Sequence, residues 1–316
     1  MKGSEALWFI IPHFRDTEAR SGYLAACLRS LQAQTDPDWH AVVVDDGSPG
    51  AALQSAEGLE DPRVAYIRLP ANCGPGVARN VGVRYAINRG ARILSFQDDD
   101  DLAHPERVSR TRVALASCTG AEFVYSSFVP IDRQGREIAR ASVRGDMREI
   151  LDALDAGPPV GPRAWVDIAT RTGFIATTST VSVRSSVALR CPFPPLRVSE
   201  DSHTWLRMSA SGATVCFAPA IPTSYRIANA GEECSSQRSN AFLYSKSAGD
   251  SLGFAAAVRF ALRRGEISRD DAASLTRMFC ARLASTIERQ GLTDLADQIR
   301  SYEFARRVSS IVPIRL

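Results

Sequence analysis

The sequence predicts an α/β fold in which a mostly parallel sheet is flanked by helices and followed by a helical extension. In the first hundred residues or so, short apolar runs alternate with segments of helical periodicity, which is typical of parallel sheets covered by helices. Polar residues follow these runs, as they do where parallel strands end at a ligand crevice. From about residue 248 onward, apolar residues recur at helical spacing and predict amphipathic helices.

The amino-terminal elements follow from apolar runs and helical periods taken in order. They are a strand at 7–11, a helix at 22–34, strands at 41–44 and 64–69, a helix at 75–88 and a strand at 92–96. The carboxyl ends of parallel strands lie at one edge of a sheet. We therefore expect residues 13–15, 45–48 and 98–101 to meet at one crevice.

The regular alternation fades beyond about residue 126. A Gly/Pro-rich loop at 157–162, a β-rich run at 177–183 and a helix at 199–211 are predicted there. The chain is thus divided into a domain at 1–247, with halves at about 1–126 and 127–247, and a helical extension at 248–316. About 70 residues form a small unit to be stable alone. The extension is expected to pack on its own domain or on a second copy, which would make a homodimer.

Composition excludes several classes of partner and location. The net charge is only +3 and basic residues are interspersed with acidic ones, which disfavours nucleic acid as a partner. No apolar run approaches the roughly 18 residues of a membrane span. The seven cysteines form no CxxC pair, which predicts reduced thiols, and the amino-terminal apolar run is too short for a signal peptide. A cytoplasmic location is expected.

Four consecutive aspartates, Asp98 to Asp101, follow the fourth predicted strand after the single residue Gln97. Capping of a helix that begins at Pro105 would explain one or two of them. Four carboxylates at the end of a buried strand repel one another unless a cation or several donors neutralise them. Oxygen ligands of this kind suit Mg²⁺ or Mn²⁺, and such ions take one or two carboxylates together with phosphate oxygens.

Residues after the first three strands fit a nucleotide pocket. Asp45 is either part of a turn or an acceptor for a base N–H, and Phe14 offers its ring to a base or belongs to the core. The stretch that contains Gly74 lacks the spacing and position of a dinucleotide fingerprint. Three interpretations are open for Arg79, in the helix that follows. It pairs with a diphosphate, it pairs with the aspartates, or it forms an exposed ion pair.

Two acidic residues open the helix predicted at 199–211. Ser199 can cap this helix, and Glu200 and Asp201 in its first turn would be stabilised in any protein. A carboxylate that faces a bound diphosphate is also what a hydroxyl nucleophile needs for its deprotonation. Both interpretations remain open on these residues alone.

Six motifs in this order resemble those of the inverting family-two glycosyltransferases of the GT-A fold. They correspond to P-x-Y-N-R, L-x-S-L-x-x-Q-T, V-V-D-D-G-S, N-x-G-x-x-x-A-R-N, D-x-D-D-x-x-x-P and E-D-x-x-x-W-L-R, at 12–15, 28–35, 43–48, 72–80, 98–105 and 200–207. Among the departures from the family, Phe14 replaces the usual Tyr, and Ala228 stands where Y-R-x-H, begun by Tyr225 and Arg226, has His.

The resemblance implies a nucleoside diphosphate sugar donor, with UDP or dTDP favoured, and an acceptor with a nucleophilic hydroxyl. A Rossmann-like first half would bind the donor and the second half the acceptor. Donor binding is implied for Pro12, Phe14, Asp45, Gly74, Arg79, Asp98 and Asp99, and the binding of Mg²⁺ or Mn²⁺ for Asp100 with Asp98. Asp201 is implied as general base, with Glu200 shaping the acceptor site.

Two alternatives to a glycosyltransferase remain. A nucleotidyltransferase shares the α/β layout, but it normally carries a Gly-rich phosphate loop after the first strand, and residues 13–16 contain no glycine. A nucleotide-sugar-binding protein without turnover is disfavoured because Asp100 and Asp201 are both present. The sequence does not identify the sugar or the acceptor.

Overall fold

The structure, a computed structural model, describes residues 5–15, 22–49, 60–143, 145–173, 176–227 and 239–301. Its strands are β1 (Leu7–His13), β2 (Trp39–Asp45), β3 (Val64–Arg68), β4 (Ile93–Phe96), β5 (Ala121–Tyr125), β6 (Phe128–Ile131), β7 (Ser182–Arg184), β8 (Thr214–Phe217) and β9 (Thr223–Arg226). The α-helices of the first 227 residues are α1 (Tyr23–Gln32), α2 (Pro75–Ile87), α3 (Arg107–Ser117), α4 (Gly145–Ala156), α5 (Ala164–Asp167), α6 (Ser185–Arg190) and α7 (Glu200–Ala210). The carboxyl-terminal helices are α8 (Asn240–Arg263), α9 (Arg269–Arg289) and α10 (Thr293–Arg300).

The central sheet has the strand order β3-β2-β1-β4-β7-β5-β8. All neighbours are parallel except β7, which runs antiparallel to both β4 and β5. Strands β6 and β9 form a separate parallel pair. The expected mostly parallel sheet with flanking helices is confirmed.

Both faces of the sheet are covered, which explains why its strands read as unbroken apolar runs. Successive residues of β1 alternate between two cores, with Ile10 on one face and Phe9 and Ile11 on the other. Helix α2 packs on the Ile10 face, and α1 packs on the Phe9 face. The predicted elements of the first hundred residues are confirmed, with ends that differ by a few residues.

The prediction of a β-rich run at 177–183 is wrong for the first half of that run. Residues Thr178–Thr180 form a 3₁₀ turn, and only Ser182–Arg184 form a strand. The N–H groups of Thr180 and Val181 donate to the carbonyls of Thr177 and Thr178, so they are not available to a sheet. This turn packs beside the end of β4 and positions Ser179.

The expectation that all cysteines are reduced is also wrong, because Cys118 and Cys216 form a disulfide. Cys118 directly follows α3 and Cys216 lies on β8, and the pairing of β5 with β8 brings them together across 98 residues of sequence. Among the described cysteines, Cys27, Cys73, Cys191 and Cys280 are free thiols.

The carboxyl-terminal helices pack on the same chain. One apolar core joins α8, α9 and α10 to Leu206 of α7 and Trp165 of α5. Gly253 allows α8 to approach α7 closely, since a Cβ there would lie 2.9 Å from the Cα of His203. Helix α8 begins at Asn240, so the boundary expected after residue 247 falls inside a helix. Residues 302–316 of the expected extension lie outside the described residues.

No helix in the described parts of the chain is long and apolar enough to cross a membrane. The cytoplasmic location and the homodimer both stay predictions.

We predict that Leu283→Ala lowers the free energy of unfolding by about 2–5 kcal/mol, because it leaves a cavity where Leu283 is fully buried between the helices. Urea unfolding measures this loss, and one cooperative transition is expected because α9 shares a core with α7. Arg277→Ala, on the exposed face of the same helix, is the control and should change stability by no more than about 0.5 kcal/mol. Equal losses in the two variants would contradict the prediction.

Candidate active site

The site lies at the carboxyl edge of the parallel strands, where the sequence predicted it. In the sheet register His13 of β1 is opposite Asp45 of β2, and Asp45 is opposite Arg68 of β3. The aspartate run begins two residues after β4 ends at Phe96. Strand topology therefore brings these three segments to one crevice.

Hydrogen bonds fix the backbone of the aspartate run. The N–H of Asp98 donates to Ser179 Oγ at 2.9 Å, and the Ser179 hydroxyl donates to the Asp101 carboxylate at 2.6 Å. Asp101 also accepts the backbone N–H of Arg226 at 2.8 Å, and Arg226 Nε donates to the carbonyl of Asp100 at 2.7 Å. Asp101 is consequently a structural acceptor within the run.

Burial and the repulsion between carboxylates raise the pKa of two aspartates in the run. Burial, and then repulsion by Asp100 and Asp98, raises the pKa of Asp101 well above its ordinary value. Burial raises the pKa of Asp98 as well, although the Arg79 guanidinium acts against this. Asp99 is paired with His13, with 2.5 Å between Nδ1 and the carboxylate oxygen. A cation at the run would relieve its repulsion.

Arg79 joins the aspartate run to helix α7. Its guanidinium donates to Asp98 at 2.8 Å and to Glu200 at 2.7 Å, and the residue is only 4% exposed. Pairing with the aspartates is thus confirmed, and an exposed ion pair is wrong. Burial, and then the charge of Asp201, raises the pKa of Glu200 to about 7, although Arg79 lowers it.

Asp201 is held less tightly than Glu200. It accepts the Ser202 N–H at 2.7 Å and the Thr178 hydroxyl at 3.4 Å, and it is half-buried. Ser199 does not cap the helix as predicted, because its side chain makes no capping hydrogen bond and its backbone is left-handed with φ 60°. This conformation turns the chain immediately before Glu200 and Asp201 and brings both residues into the first turn of α7.

Asp45 and Asp46 organise the second strand end. Asp45 is buried, accepts the Ser48 N–H at 2.9 Å and pairs with Arg68 at 3.0 Å. Asp46 accepts the N–H groups of Cys73 and Gly74, each at 2.7 Å. It thereby anchors the loop before α2, where Gly74 adopts φ +94°, a conformation that side chains rarely allow.

The remaining two residues of the predicted donor pocket lie at the end of β1. Pro12 is buried opposite Val44, and Phe14 is half-buried just after the strand. The position of Ala228 falls outside the described residues. Binding of a base between Phe14 and Asp45 stays a prediction.

Sequence reasoning missed a buried arginine beneath the site. Arg107 is 1% exposed and donates to the Ser179 carbonyl at 2.8 Å and to the Thr223 hydroxyl at 3.2 Å. Burial lowers its pKa to about 9. The one sequence signal for Arg107 is its place beside Val108, at the start of an apolar helix face. Its partners are far away along the chain, so sequence spacing does not reveal them. Arg107 supports Ser179 and, through it, the aspartate run.

The residues of the run fit a divalent ion that is only partly coordinated by protein. No cluster of three or more His, Cys, Asp or Glu suited to a metal is present among the described residues. The oxygen donors and the repulsion between the carboxylates match Mg²⁺ or Mn²⁺. One or two aspartates would hold such an ion, with phosphate and water oxygens completing its coordination.

A cavity of about 870 Å³ opens next to these carboxylates. Asp98, Glu200 and Asp201 line one part of it, and side chains of α4, α8 and α9 line others. Its volume suits a ligand the size of a small saccharide. The carboxyl-terminal helices are therefore part of the site.

Comparison with known proteins agrees with this architecture. The structure of Staphylococcus aureus TarS 1–349 in complex with UDP-GlcNAc superposes with a TM-score of 0.56 at 16% identity, covering 96% of this chain and 90% of that one. Such a likeness, at this identity, shows a shared fold. The expected GT-A fold, with its helical carboxyl-terminal region, is confirmed.

Sequence relatives match part of the chain. The succinoglycan biosynthesis protein ExoW of Rhizobium meliloti (strain 1021) is 34% identical over an alignment of 143 residues that covers 42% of this chain and 43% of that protein. ExoO of the same strain is 33% identical over 115 residues, 36% of this chain and 32% of that protein. The chain thus matches less than half the length of these relatives.

The family model for glycosyl transferase family 2 matches residues 8–166, half of the chain. This region contains the strand ends, the Gly74 loop, Arg79 and the aspartate run. With the fold, the strand-end site and this match in agreement, the chain belongs to glycosyl transferase family 2.

Proposed function

We propose that this protein transfers a sugar from a nucleoside diphosphate sugar to an acceptor hydroxyl, with inversion at the anomeric carbon. One observation carries the proposal: a single cavity is lined both by the Asp98 end of the aspartate run and by Asp201. Donor and acceptor can therefore meet between an acidic phosphate-binding edge and a carboxylate base. Family membership and the fold of TarS support the same reaction class.

The reaction requires a proton to leave the acceptor. Asp201 accepts the hydroxyl proton while the acceptor oxygen forms a bond to the anomeric carbon, and the bond from that carbon to the diphosphate oxygen breaks. Attack comes from the face opposite the departing diphosphate, which inverts the configuration. The nucleoside diphosphate leaves with the electron pair of the broken bond.

Asp201 suits this role better than its neighbour. Glu200 is buried and its carboxylate is paired with Arg79 at 2.7 Å, whereas Asp201 is half-buried and accepts hydrogen bonds from the Thr178 hydroxyl and the Ser202 N–H. A base must reach the substrate hydroxyl, and an ion-paired carboxylate is less available to do so. Glu200 instead shapes the acceptor side and holds Arg79 in place.

Asp100 and Asp98 would hold the divalent ion, Mg²⁺ or Mn²⁺. Such an ion, when bound, offsets the charge that develops on the departing diphosphate. Asp98 is kept in position by Arg79, and the backbone of Asp100 is held by Arg226. Asp99 and the Gly74 loop would complete the diphosphate side of the site.

The donor nucleotide is proposed to be UDP or dTDP. A buried carboxylate such as Asp45 can accept the N3–H of a pyrimidine, and Phe14 offers a ring for stacking. TarS 1–349 has been solved with UDP and with UDP-GlcNAc, which agrees with this choice. A panel of UDP-, dTDP- and GDP-sugars, scored by released nucleoside diphosphate, tests it.

That panel also separates the alternatives. A nucleotidyltransferase would form nucleotide sugar and pyrophosphate from a nucleoside triphosphate and a sugar phosphate. An inactive binding protein would bind a nucleotide sugar without releasing nucleoside diphosphate. Release of nucleoside diphosphate is expected, and its absence with every donor that binds would overturn the proposed function.

We predict that Asp201→Asn lowers turnover by about 10² to 10⁴-fold while donor affinity stays nearly unchanged, because the variant loses the general base but keeps the side-chain shape. Steady-state kinetics and titration with UDP measure the two quantities. Glu200→Gln is the comparison, since it removes the neighbouring carboxylate without removing the proposed base. A turnover in Asp201→Asn equal to that of the wild type would move the base to another residue.

We predict that excess EDTA abolishes transfer and that added Mg²⁺ or Mn²⁺ restores it. Asp100→Ala should lose activity as well, because the charge of the leaving diphosphate is then not compensated. Glu106→Ala is a matched control, since this exposed carboxylate near the run pairs with Arg110 and lies outside the cavity. Full turnover in EDTA would show that transfer is independent of metal.

A further inference from the structure

The cavity next to Asp201 is lined by more basic groups than catalysis at the aspartate run requires. Besides Arg79, its walls carry Arg171, Arg197, Lys246, Arg282 and Arg289. The acidic residues that line it are Asp98, Glu149, Glu200 and Asp201. Arg79 already neutralises two of these acids, so the basic groups contributed by the later part of the chain need a separate explanation.

Three of the basic groups have carboxylate partners. Lys246 pairs with Asp250 at 2.8 Å, and Arg289 pairs with Glu149 at 3.1 Å. Arg171 lies 3.6 Å from Asp167. Arg197 has no such partner among the described residues, but its guanidinium donates to the carbonyl of Asn72 at 3.0 Å, next to the donor loop.

Arg282 of α9 differs from these groups. Its Nε donates to the carbonyl of Ala169 at 3.1 Å, and its guanidinium lies 5.3 Å from the centre of the Phe279 ring. In the described parts of the chain no carboxylate lies within ion-pair distance of it. The acid that acts on it electrostatically, Asp250, is already bound to Lys246.

The surroundings of Arg282 make this arrangement costly without an anion. Burial lowers the pKa of its guanidinium, and the charge of Arg289 acts in the same direction. An arginine nevertheless keeps its charge in proteins, so a half-buried guanidinium with no carboxylate within ion-pair distance is less stable than a paired one. An anionic ligand group in the cavity would supply the missing charge and accept paired hydrogen bonds from the guanidinium.

We propose that the acceptor carries an anionic group, a phosphate or a carboxylate, and that Arg282 binds it while the nucleophilic hydroxyl lies at Asp201. The proposal rests on the proposed function, because it assigns the substrate class of the same cavity. The anion belongs to the acceptor and not to the donor, since the donor diphosphate is assigned to the aspartate run and the Gly74 loop. Arg282 instead comes from α9 and contacts Ala169. Hydroxyls of Thr170, Thr172 and Thr286 on the walls suit the rest of a sugar acceptor.

The test is binding of matched probes to protein saturated with UDP and Mn²⁺, so that the diphosphate site is already occupied. Glucose 1-phosphate, glucuronate and glucose are titrated by calorimetry. The two anionic sugars should bind at least about 10-fold more tightly than glucose, the scale of a charge-assisted hydrogen bond. The better of the two identifies phosphate or carboxylate as the group recognised.

Variants of α9 then assign the effect to one residue. Arg282→Gln should remove the preference for the anionic sugars, and Arg282→Lys should keep part of it because it keeps the charge. Arg277→Gln makes the same change of charge on the exposed face of the helix, outside the cavity, and should leave the preference intact. Melting temperatures show whether each variant is folded.

Three outcomes would each overturn the proposal. The charged and neutral probes bind equally, neither anionic sugar binds, or the preference for anionic sugars falls equally in Arg282→Gln and Arg277→Gln. Should Arg282→Gln not fold, the wild-type comparison and the Arg282→Lys variant still decide it. Failure of the proposed function looks different, because UDP would not bind and no nucleotide sugar would release nucleoside diphosphate. Failure of the acceptor proposal alone leaves both of these signals in place.

Discussion

The ion pairs of Arg79 are the contact on which the site depends. A single buried guanidinium bridges Asp98, at the end of the parallel sheet, and Glu200, in the first turn of α7. These residues lie about a hundred positions apart in sequence. Removing Arg79 would leave Glu200 buried without its countercharge, which is costly. Arg79 thus sets the spacing between the proposed diphosphate edge and the proposed base.

A second layer of polar contacts supports this bridge from below. Arg107 donates to the carbonyl of Ser179, whose hydroxyl bonds to Asp101 and accepts the N–H of Asp98. The backbone and side chain of Arg226 bind the run from the other side. Arg79 holds the carboxylate of Asp98, His13 holds that of Asp99, and the Ser179 hydroxyl and the Arg226 N–H hold that of Asp101. This network leaves the repulsion within the run for a cation to offset.

The carboxyl-terminal helices give the cavity its chemical character. They share a core with α7, so their burial also stabilises the helix that carries Glu200 and Asp201. Close contact between α8 and α7 requires Gly253, where a side chain would meet the backbone of His203. On the cavity side the same helices present Lys246, Arg282 and Arg289. We therefore propose that the helices which support α7 also recognise the acceptor.

The sequence by itself determined the sheet with its helices and the strand ends at which Asp45 and Asp98 to Asp101 meet. These features are local, since they are encoded by the spacing of apolar residues and by the polar residues that follow each strand. Only the tertiary structure decided the partners of Arg79, the disulfide of Cys118 with Cys216 and the left-handed turn at Ser199. It also decided that α9 contributes Arg282 to the cavity. Each of these depends on contacts between residues far apart in the chain, which periodicity and motif spacing do not record.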